Sequence, residues 1–264
     1  MTERPPVATS TDFDAATIKV VAFDGYGTLF NFVNRDFHFA VTTILAEQQI
    51  ETDIDAFFQT WVSSYSKAGV WAEARVGDQR PDPDHVLNGP LPDWHSTHEI
   101  WRRQFNVAFE EYGLHGDGAA AADYLREQLS HVDAYPDAHD TVDELARRGY
   151  LLALLSNADE DFLQSALSRA RLRFSIIQSS ESLRAYKPHR AIFSALCLRA
   201  SCEPNEVLYV GDSANADVSG AQNAGLHTAW LRRDERPYPE RLAPPDMVID
   251  ELADLLPMLK GSPS

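Results

Sequence analysis

Seven polar side chains suited to hydrolytic chemistry lie at or shortly after the ends of short apolar runs. They are Asp24, Thr28, Ser156, Asn157, Lys187, Asp212 and Asp217. Carboxylates can attack as nucleophiles or bind a divalent cation, hydroxyls can donate hydrogen bonds, and an ammonium group can balance negative charge. One such residue alone is as readily a helix cap or a turn residue. The ordered set indicates a site at the carboxyl ends of parallel strands, where α/β sheets bind ligands.

The elements that must position these residues are six apolar runs of strand length. They are Ile18–Phe23, Tyr150–Ser156, Phe174–Ser180, Val207–Asp212, His227–Leu231 and Met247–Asp250. Continuous apolar runs of this length are typical of strands buried on both faces of a sheet. Helical patterns separate the later runs, and one of them begins near Asp137 and ends at Gly149. This alternation predicts an α/β fold: a doubly wound, mostly parallel Rossmann-like sheet.

One long interval between strands has helical patterns only. We therefore predict a helical cap domain over residues 31–133, inserted after the first strand, and an α/β core over residues 18–30 and 134–264. Within the cap, Val76–Trp94 is rich in Pro, Gly and Asp and is expected to be a loop. Residues 1–17 are expected to form a flexible tail, and His189 is expected at the surface.

Composition restricts the partners of the chain. Its 264 residues include 23 Lys and Arg against 40 Asp and Glu, a formal net charge of −17. Such a surface repels nucleic acid and anionic membranes, so the expected partner is a small-molecule substrate, with no nucleic acid and no membrane. Cys197 and Cys202 have no metal-binding spacing and predict free thiols. We expect a cytoplasmic monomer or homodimer.

The motifs closely resemble those of the haloacid dehalogenase (HAD) superfamily of hydrolases. "FDGYGTLF" is similar to the first motif, with Asp24 as nucleophile, and "LLSN" to the second, with Ser156. "YKPHRAIF" is similar to the third, with Lys187, and "VGDSANADVSGAQNAG" to the fourth, with Asp212 and Asp217. The resemblance covers most of the chain and implies a hydrolase that works through a covalent aspartyl intermediate.

The resemblance also implies roles for the residues around Asp24. Thr28, Ser156, Asn157 and Lys187 would hold the transferred group or the nucleophile. With Tyr26, the first three of these residues form the expected substrate-binding set.

The same resemblance implies a Mg²⁺ cofactor. Its expected ligands are Asp24, the Tyr26 carbonyl and Asp212, with Asp217 as a further ligand or as an orienting residue.

Tyr26 departs from the pattern of HAD phosphatases, which usually have a second Asp two residues after the nucleophile to act as acid and base. A phenol has a pKa of about 10 and is a poor base at neutral pH. A tyrosine in this position is typical of L-2-haloacid dehalogenases, whose halide leaving group needs no proton.

Other positions depart from the dehalogenase pattern. Gln59 lies near the place of the arginine that dehalogenases carry early in the cap, and Phe193 replaces a tyrosine. The fourth motif keeps Asp212 and has Ala214 in place of an asparagine. Other arginines in the early cap and its loop are Arg35, Arg75 and Arg80.

Taken together, the motifs favour Mg²⁺-dependent hydrolysis of a phosphomonoester. The alternative is metal-free hydrolysis of a carbon–halogen bond, as in L-2-haloacid dehalogenases. A second alternative is a catalytically weak HAD protein with a binding or regulatory role.

Overall fold

A computed structural model describes residues 13–70, 82–233 and 237–262. Residues 1–12 of the predicted tail, and Arg75 and Arg80, lie outside the described residues. The described part of the tail forms a short 3-10 turn, Ala15–Thr17, which begins where the Asp14 side chain accepts a hydrogen bond from the Ala16 N–H. The Phe13 ring packs edge-on against the His227 ring, with centroids 5.2 Å apart.

Within the described ranges, six parallel strands form a single sheet, which confirms the predicted α/β class. The strands are β1 (Val20–Phe23), β2 (Leu151–Ser156), β3 (Ile176–Ser179), β4 (Val207–Gly211), β5 (His227–Leu231) and β6 (Met247–Ile249). Their order across the sheet is β3-β2-β1-β4-β5-β6. The order reverses beside β1, and this reversal is where doubly wound sheets open a crevice for ligands. Asp24 directly follows β1 and is therefore at this crevice.

Helices cover the sheet and fill the interval after β1. The described helices are α1 (Asn34–Glu47), α2 (Ile54–Ala68), α3 (Pro83–Asn88), α4 (Thr97–Glu111), α5 (Gly118–Ser130), α6 (Ala138–Arg147), α7 (Glu160–Ala170), α8 (Ser180–Leu183), α9 (Arg190–Ala200) and α10 (Gly220–Asn223). None of these described helices is long and apolar enough to cross a membrane. Cys197 and Cys202 are free thiols.

Helices α1 to α5 fall within the predicted cap span. Three of them start at Asp53, Ser96 and Asp117, whose side chains accept hydrogen bonds from the first-turn N–H groups. Between α2 and α4, Trp61 packs against Phe105 with ring centroids 5.4 Å apart. The division into core and cap at residues 31–133 stays a prediction.

The predicted loop Val76–Trp94 is partly helical, because α3 lies within it. Asp82 accepts a hydrogen bond from the Asp84 N–H, and Pro83 occupies the first helical turn, where a missing N–H has no cost. His189 also differs from the prediction, since it is buried. Its Nε2 lies 2.9 Å from the Gly89 carbonyl oxygen that follows α3.

A buried carboxylate joins α4 to the loop after β2. The Asp159 side chain is 5% exposed, and its two oxygens accept hydrogen bonds from Thr97 N–H (2.8 Å) and His98 N–H (2.9 Å). A negative charge is favourable at the first turn of a helix, where N–H groups have no partner within the helix. Next to this contact, the Tyr186 hydroxyl donates a hydrogen bond to the His95 carbonyl oxygen at 2.7 Å. The start of α4 is thus held from both Asp159 and Tyr186.

We predict that Asp159→Ala lowers the free energy of unfolding by about 2 kcal/mol, because two half-buried N–H groups lose a charged acceptor. Urea unfolding at neutral pH measures the change. Asp143→Ala, at an exposed position of α6, is the control and should stay within about 0.5 kcal/mol of the wild type. Equal effects of the two substitutions would contradict the role of Asp159.

Candidate active site

The Lys187 ammonium group lies at the centre of the candidate site. Its Nζ donates hydrogen bonds to Asp24 Oδ1 at 2.5 Å, Asp217 Oδ1 at 2.7 Å and the Tyr209 hydroxyl at 3.1 Å. The lysine side chain is 3% exposed, and those of Asp24 and Asp217 are 8% and 1% exposed. One buried cation therefore bridges two buried carboxylates that lie far apart in the sequence.

Burial and charge act in opposite directions on these groups. Burial raises the pKa of the Asp24 carboxyl to about 6, against the opposing effect of the Lys187 charge. Burial also acts to lower the pKa of Lys187, but the charges of Asp217 and Asp24 outweigh it, so this pKa lies well above its usual range. Asp24 is thus mostly ionised at neutral pH, and Lys187 is positively charged.

Asp217 links Lys187 to the backbone after β4, because each of its oxygens accepts a different hydrogen bond. Its Oδ1 accepts from Lys187, and its Oδ2 accepts from the Ser213 N–H at 2.9 Å. The wide helical turn Ala214–Ser219 places the aspartate under β4, where its side chain is buried. Whether Asp217 acts as an orienting residue or as a metal ligand stays a prediction.

Tyr209 is a site residue that sequence reasoning missed. It lies within β4, and its hydroxyl donates a hydrogen bond to the Leu155 carbonyl oxygen at 2.9 Å while it contacts Lys187. Burial raises the pKa of this phenol well above its usual range, so it stays neutral. The sequence signal that could have found it is a single tyrosine in an otherwise aliphatic strand. A buried hydroxyl needs a hydrogen-bond partner, so such a tyrosine indicates a polar group nearby.

Asp212 completes a cluster of three carboxylates. One oxygen from each of Asp24, Asp212 and Asp217 lies within 4.8 Å of the other two. Gly27 has a φ of +90°, and a Cβ atom there would lie 2.7 Å from Asp212 Oδ2. Only glycine meets both conditions, so Gly27 lets the Asp24 loop, residues 24–30, approach the Asp212 carboxylate.

The predicted hydroxyl groups also lie at this edge of the sheet. Thr28 is fully buried, and among the described residues its Oγ1 has no hydrogen-bond partner. Ser156 ends β2 beside Gly25, where a Cβ atom would lie 2.9 Å from Ser156 Oγ. A buried hydroxyl without a protein partner is suited to donate to a ligand oxygen.

The Asn157 side chain makes two hydrogen bonds to the main chain of Lys187. Its Oδ1 accepts from the Lys187 N–H at 2.8 Å, and its Nδ2 donates to the Lys187 carbonyl oxygen at 3.2 Å. The side chain therefore fixes the backbone that carries the lysine. A direct contact of Asn157 with the substrate stays a prediction.

The Tyr26 side chain is directed toward the helices above the sheet. Its hydroxyl donates to the Leu129 carbonyl oxygen at 3.1 Å, and its ring packs against Phe30 and Phe162 with centroids 5.2 and 5.8 Å away. Burial raises the pKa of this phenol above its usual range. Both features make the hydroxyl unsuitable as the acid that a leaving group would need, as the sequence indicates.

Gln59, Arg35 and Phe193, which were compared with the dehalogenase pattern, differ in their exposure to solvent. Gln59 is exposed on α2, and the side chain of Arg35 is 81% exposed. Phe193 is buried under the sheet, edge-on to the Tyr209 ring at 5.1 Å.

The chain belongs to the haloacid dehalogenase-like hydrolases, because the model of that family matches residues 18–225. The (S)-2-haloacid dehalogenase 4A of Burkholderia cepacia is 28% identical over 246 residues, which cover 92% of this chain and 95% of that protein. The phosphoglycolate phosphatase of Pasteurella multocida (strain Pm70) is 27% identical over 251 residues, which cover 92% of this chain and 98% of that protein.

The fold agrees with this membership. A crystal structure of a dehalogenase with an intermediate complex superposes with a TM-score of 0.68 at 26% identity, covering 92% of this chain and 97% of that chain. Relatives of nearly equal identity are thus a dehalogenase and a phosphatase, and hydrolysis of small molecules is the chemistry they share.

We predict that Lys187→Met lowers the free energy of unfolding by about 3–5 kcal/mol at neutral pH, because two buried carboxylates lose their cation. Urea unfolding measures the loss. Lys19→Met is the control, since Lys19 makes an exposed ion pair with Glu206 and such pairs contribute little. If both variants unfold at the wild-type urea concentration, the buried ion pair has no structural role.

Proposed function

We propose that this protein hydrolyses small phosphomonoesters in a Mg²⁺-dependent reaction that passes through a covalent aspartyl-phosphate on Asp24. The observation that carries the proposal is the cluster of Asp24, Asp212 and Asp217 around Lys187. Asp24 and Asp217 are buried, Asp212 is half-buried, and one oxygen of each lies within 4.8 Å of the other two. Carboxylate oxygens that converge in this way suit a divalent cation.

The donor set fits Mg²⁺, which prefers oxygen ligands. Asp24, Asp212 and the Tyr26 carbonyl would hold the ion, and Gly27 lets the loop that carries Asp24 and Tyr26 lie close to Asp212. When bound, Mg²⁺ neutralises phosphate charge and aligns the ester for attack. Asp217 would act indirectly, because its two oxygens accept hydrogen bonds from Lys187 and Ser213.

In the first step, the Asp24 carboxylate attacks phosphorus. A bond forms from an Asp24 carboxylate oxygen to phosphorus while the bond from phosphorus to the ester oxygen breaks, and that oxygen leaves with the electron pair as an alkoxide or phenoxide, which takes a proton from water. Lys187 keeps the carboxylate ionised and in place, while the Thr28 and Ser156 hydroxyls donate to the phosphoryl oxygens. In the second step, water hydrolyses the aspartyl-phosphate and releases inorganic phosphate.

Tyr26 limits the substrates that this site would process well. Its hydroxyl donates to the Leu129 carbonyl oxygen, so it supplies no proton to the leaving alcohol and removes none from water. Esters of acidic alcohols need that proton least. The aspartyl-phosphate is also expected to persist, since no side-chain base assists its hydrolysis.

A second candidate is hydrolysis of L-2-haloacids, with Asp24 attacking carbon and halide leaving. Tyr26 favours it, because halide needs no proton, and one relative named above is an (S)-2-haloacid dehalogenase. This reaction has no use for the Asp212 carboxylate. We therefore place it second to the phosphatase.

We predict Mg²⁺-dependent release of phosphate from p-nitrophenyl phosphate, abolished by EDTA and by Asp24→Asn. L-2-chloropropionate is assayed in parallel for chloride release with Mg²⁺ and with EDTA. Metal-independent chloride release would contradict the phosphatase proposal and support hydrolysis of L-2-haloacids. No turnover of either substrate, with no covalent adduct on Asp24, would favour a binding or regulatory role.

We predict that Tyr26→Asp raises phosphate release from an alkyl phosphate by about tenfold or more, because it supplies the missing acid and base. Tyr26→Asn is the matched control, since it loses the same ring and hydroxyl contacts without gaining a titratable group. Steady-state rates of the two variants are compared under conditions in which both are folded. Equal rates would mean that the proton comes from another group.

A further inference from the structure

Arg233, which is not one of the predicted site residues, contacts the Asp24 loop through its side chain. It follows β5, and its side chain is 17% exposed. Its Nη2 donates to the Thr28 carbonyl oxygen at 2.9 Å and to Asp137 Oδ1 at 3.0 Å, while its Nη1 donates to Asp137 Oδ2 at 3.3 Å. Its Cζ lies 3.6 Å from the centroid of the Tyr135 ring, a close cation–π contact.

These contacts meet at the place where the chain leaves the sheet for α1 and returns to it before α6. The return segment, residues 133–137, pairs with the Asp24 loop and the residue after it. Tyr135 N–H donates to the Leu29 carbonyl oxygen at 2.8 Å, and Asn31 N–H donates to the Asp133 carbonyl oxygen at 2.9 Å. Arg233 thus binds both sides of this junction at once.

The carboxylate that balances Arg233 is itself fixed. Asp137 Oδ2 accepts a hydrogen bond from the Leu252 N–H at 2.7 Å, so the chain after β6 also holds it. Asp137 and Thr28 accept hydrogen bonds from the two terminal nitrogens, and Tyr135 lies against the face of the guanidinium group, while Nε is buried and has no hydrogen-bond partner among the described residues. The terminal nitrogens are therefore arranged to hold protein groups rather than to bind a substrate anion.

We propose that Arg233 is a positioning residue that sets the Asp24 loop in its working geometry by tying the Thr28 carbonyl group to the return segment. The planar fork of arginine can reach a carboxylate and a carbonyl together and stack on an aromatic ring. Lysine would keep the charge but not this geometry. The inference rests on one part of the proposed function, namely that Asp24 is the attacking group.

The consequence concerns the rate of the chemical step. Asp24 and Thr28 lie on the same short loop, and the Thr28 hydroxyl is buried with no hydrogen-bond partner among the described residues. A displacement of about 1 Å in a reacting group can lower a rate about 100-fold. Loss of the Arg233 contacts should therefore lower kcat by about 10- to 100-fold and leave KM within about threefold, because Arg233 does not contact the substrate.

The experiment compares Arg233→Gln and Arg233→Lys with Arg232→Gln. Arg232 is the matched control, since it is the preceding residue and makes a half-exposed ion pair with Asp250. Steady-state kcat and KM are measured on p-nitrophenyl phosphate with Mg²⁺. Hydrogen exchange followed by mass spectrometry is measured on peptides that cover residues 24–30 and 133–137.

We expect both Arg233 variants to lose kcat and to exchange faster in these two segments, while the rest of the sheet and Arg232→Gln stay as in the wild type. Full kcat in Arg233→Lys would overturn the inference, because charge alone would then suffice. So would faster exchange spread over the whole chain, which marks a general loss of stability. If the wild type releases no phosphate, the proposed function fails, and exchange in the two segments still decides the role of Arg233.

Discussion

The buried charge of Lys187 is the constraint on which the rest of the site depends. Asp24 and Asp217 are buried with one ammonium group between them, and a buried ion pair that loses one partner is strongly destabilised. That group must in turn be held in place, and the surrounding residues do so. The Asn157 side chain binds both the N–H and the carbonyl oxygen of Lys187, and the Tyr209 hydroxyl contacts Nζ. The second and third motifs are thus linked by hydrogen bonds, not only by sequence order.

The same loops connect the chemistry to the helices above the sheet. Asp159, two residues after Asn157, binds the start of α4, and Tyr186, next to Lys187, binds the same helix end. Arg233 makes the corresponding link at the Asp24 loop. A change in the position of α4 or of the return segment would therefore act on catalytic loops directly. This arrangement gives a physical reason for the helices between β1 and β2 to influence the geometry of the candidate site.

Tyr26 and Asp212 point to different reactions, and the structure explains how one chain can carry both. The Tyr26 hydroxyl is used to join the Asp24 loop to α5 and the ring packs between Phe30 and Phe162, so this residue has a structural role whatever the leaving group. Asp212 lies against Gly27, the next residue of the loop, and is not among the contacts given for the Tyr26 side chain. The two signals are physically separate, and the one that bears on charge balance is Asp212.

The sequence by itself determined the α/β class, the strands and the side chains at their carboxyl ends, because apolar runs and the polar residues that end them are local features. It did not reveal Tyr209 or Arg233 as parts of the site. Their contacts, with Lys187 and Thr28, join residues 22 and 205 positions apart, and no local pattern encodes such distances. The buried state of His189 was missed for the same reason, since its Nε2 lies against the Gly89 carbonyl oxygen, 100 positions away. Short helix α3 differs, because Asp82 and Pro83 at its start are local signals. Only the tertiary structure decided which polar groups are buried together, because burial and partner choice arise when distant segments pack.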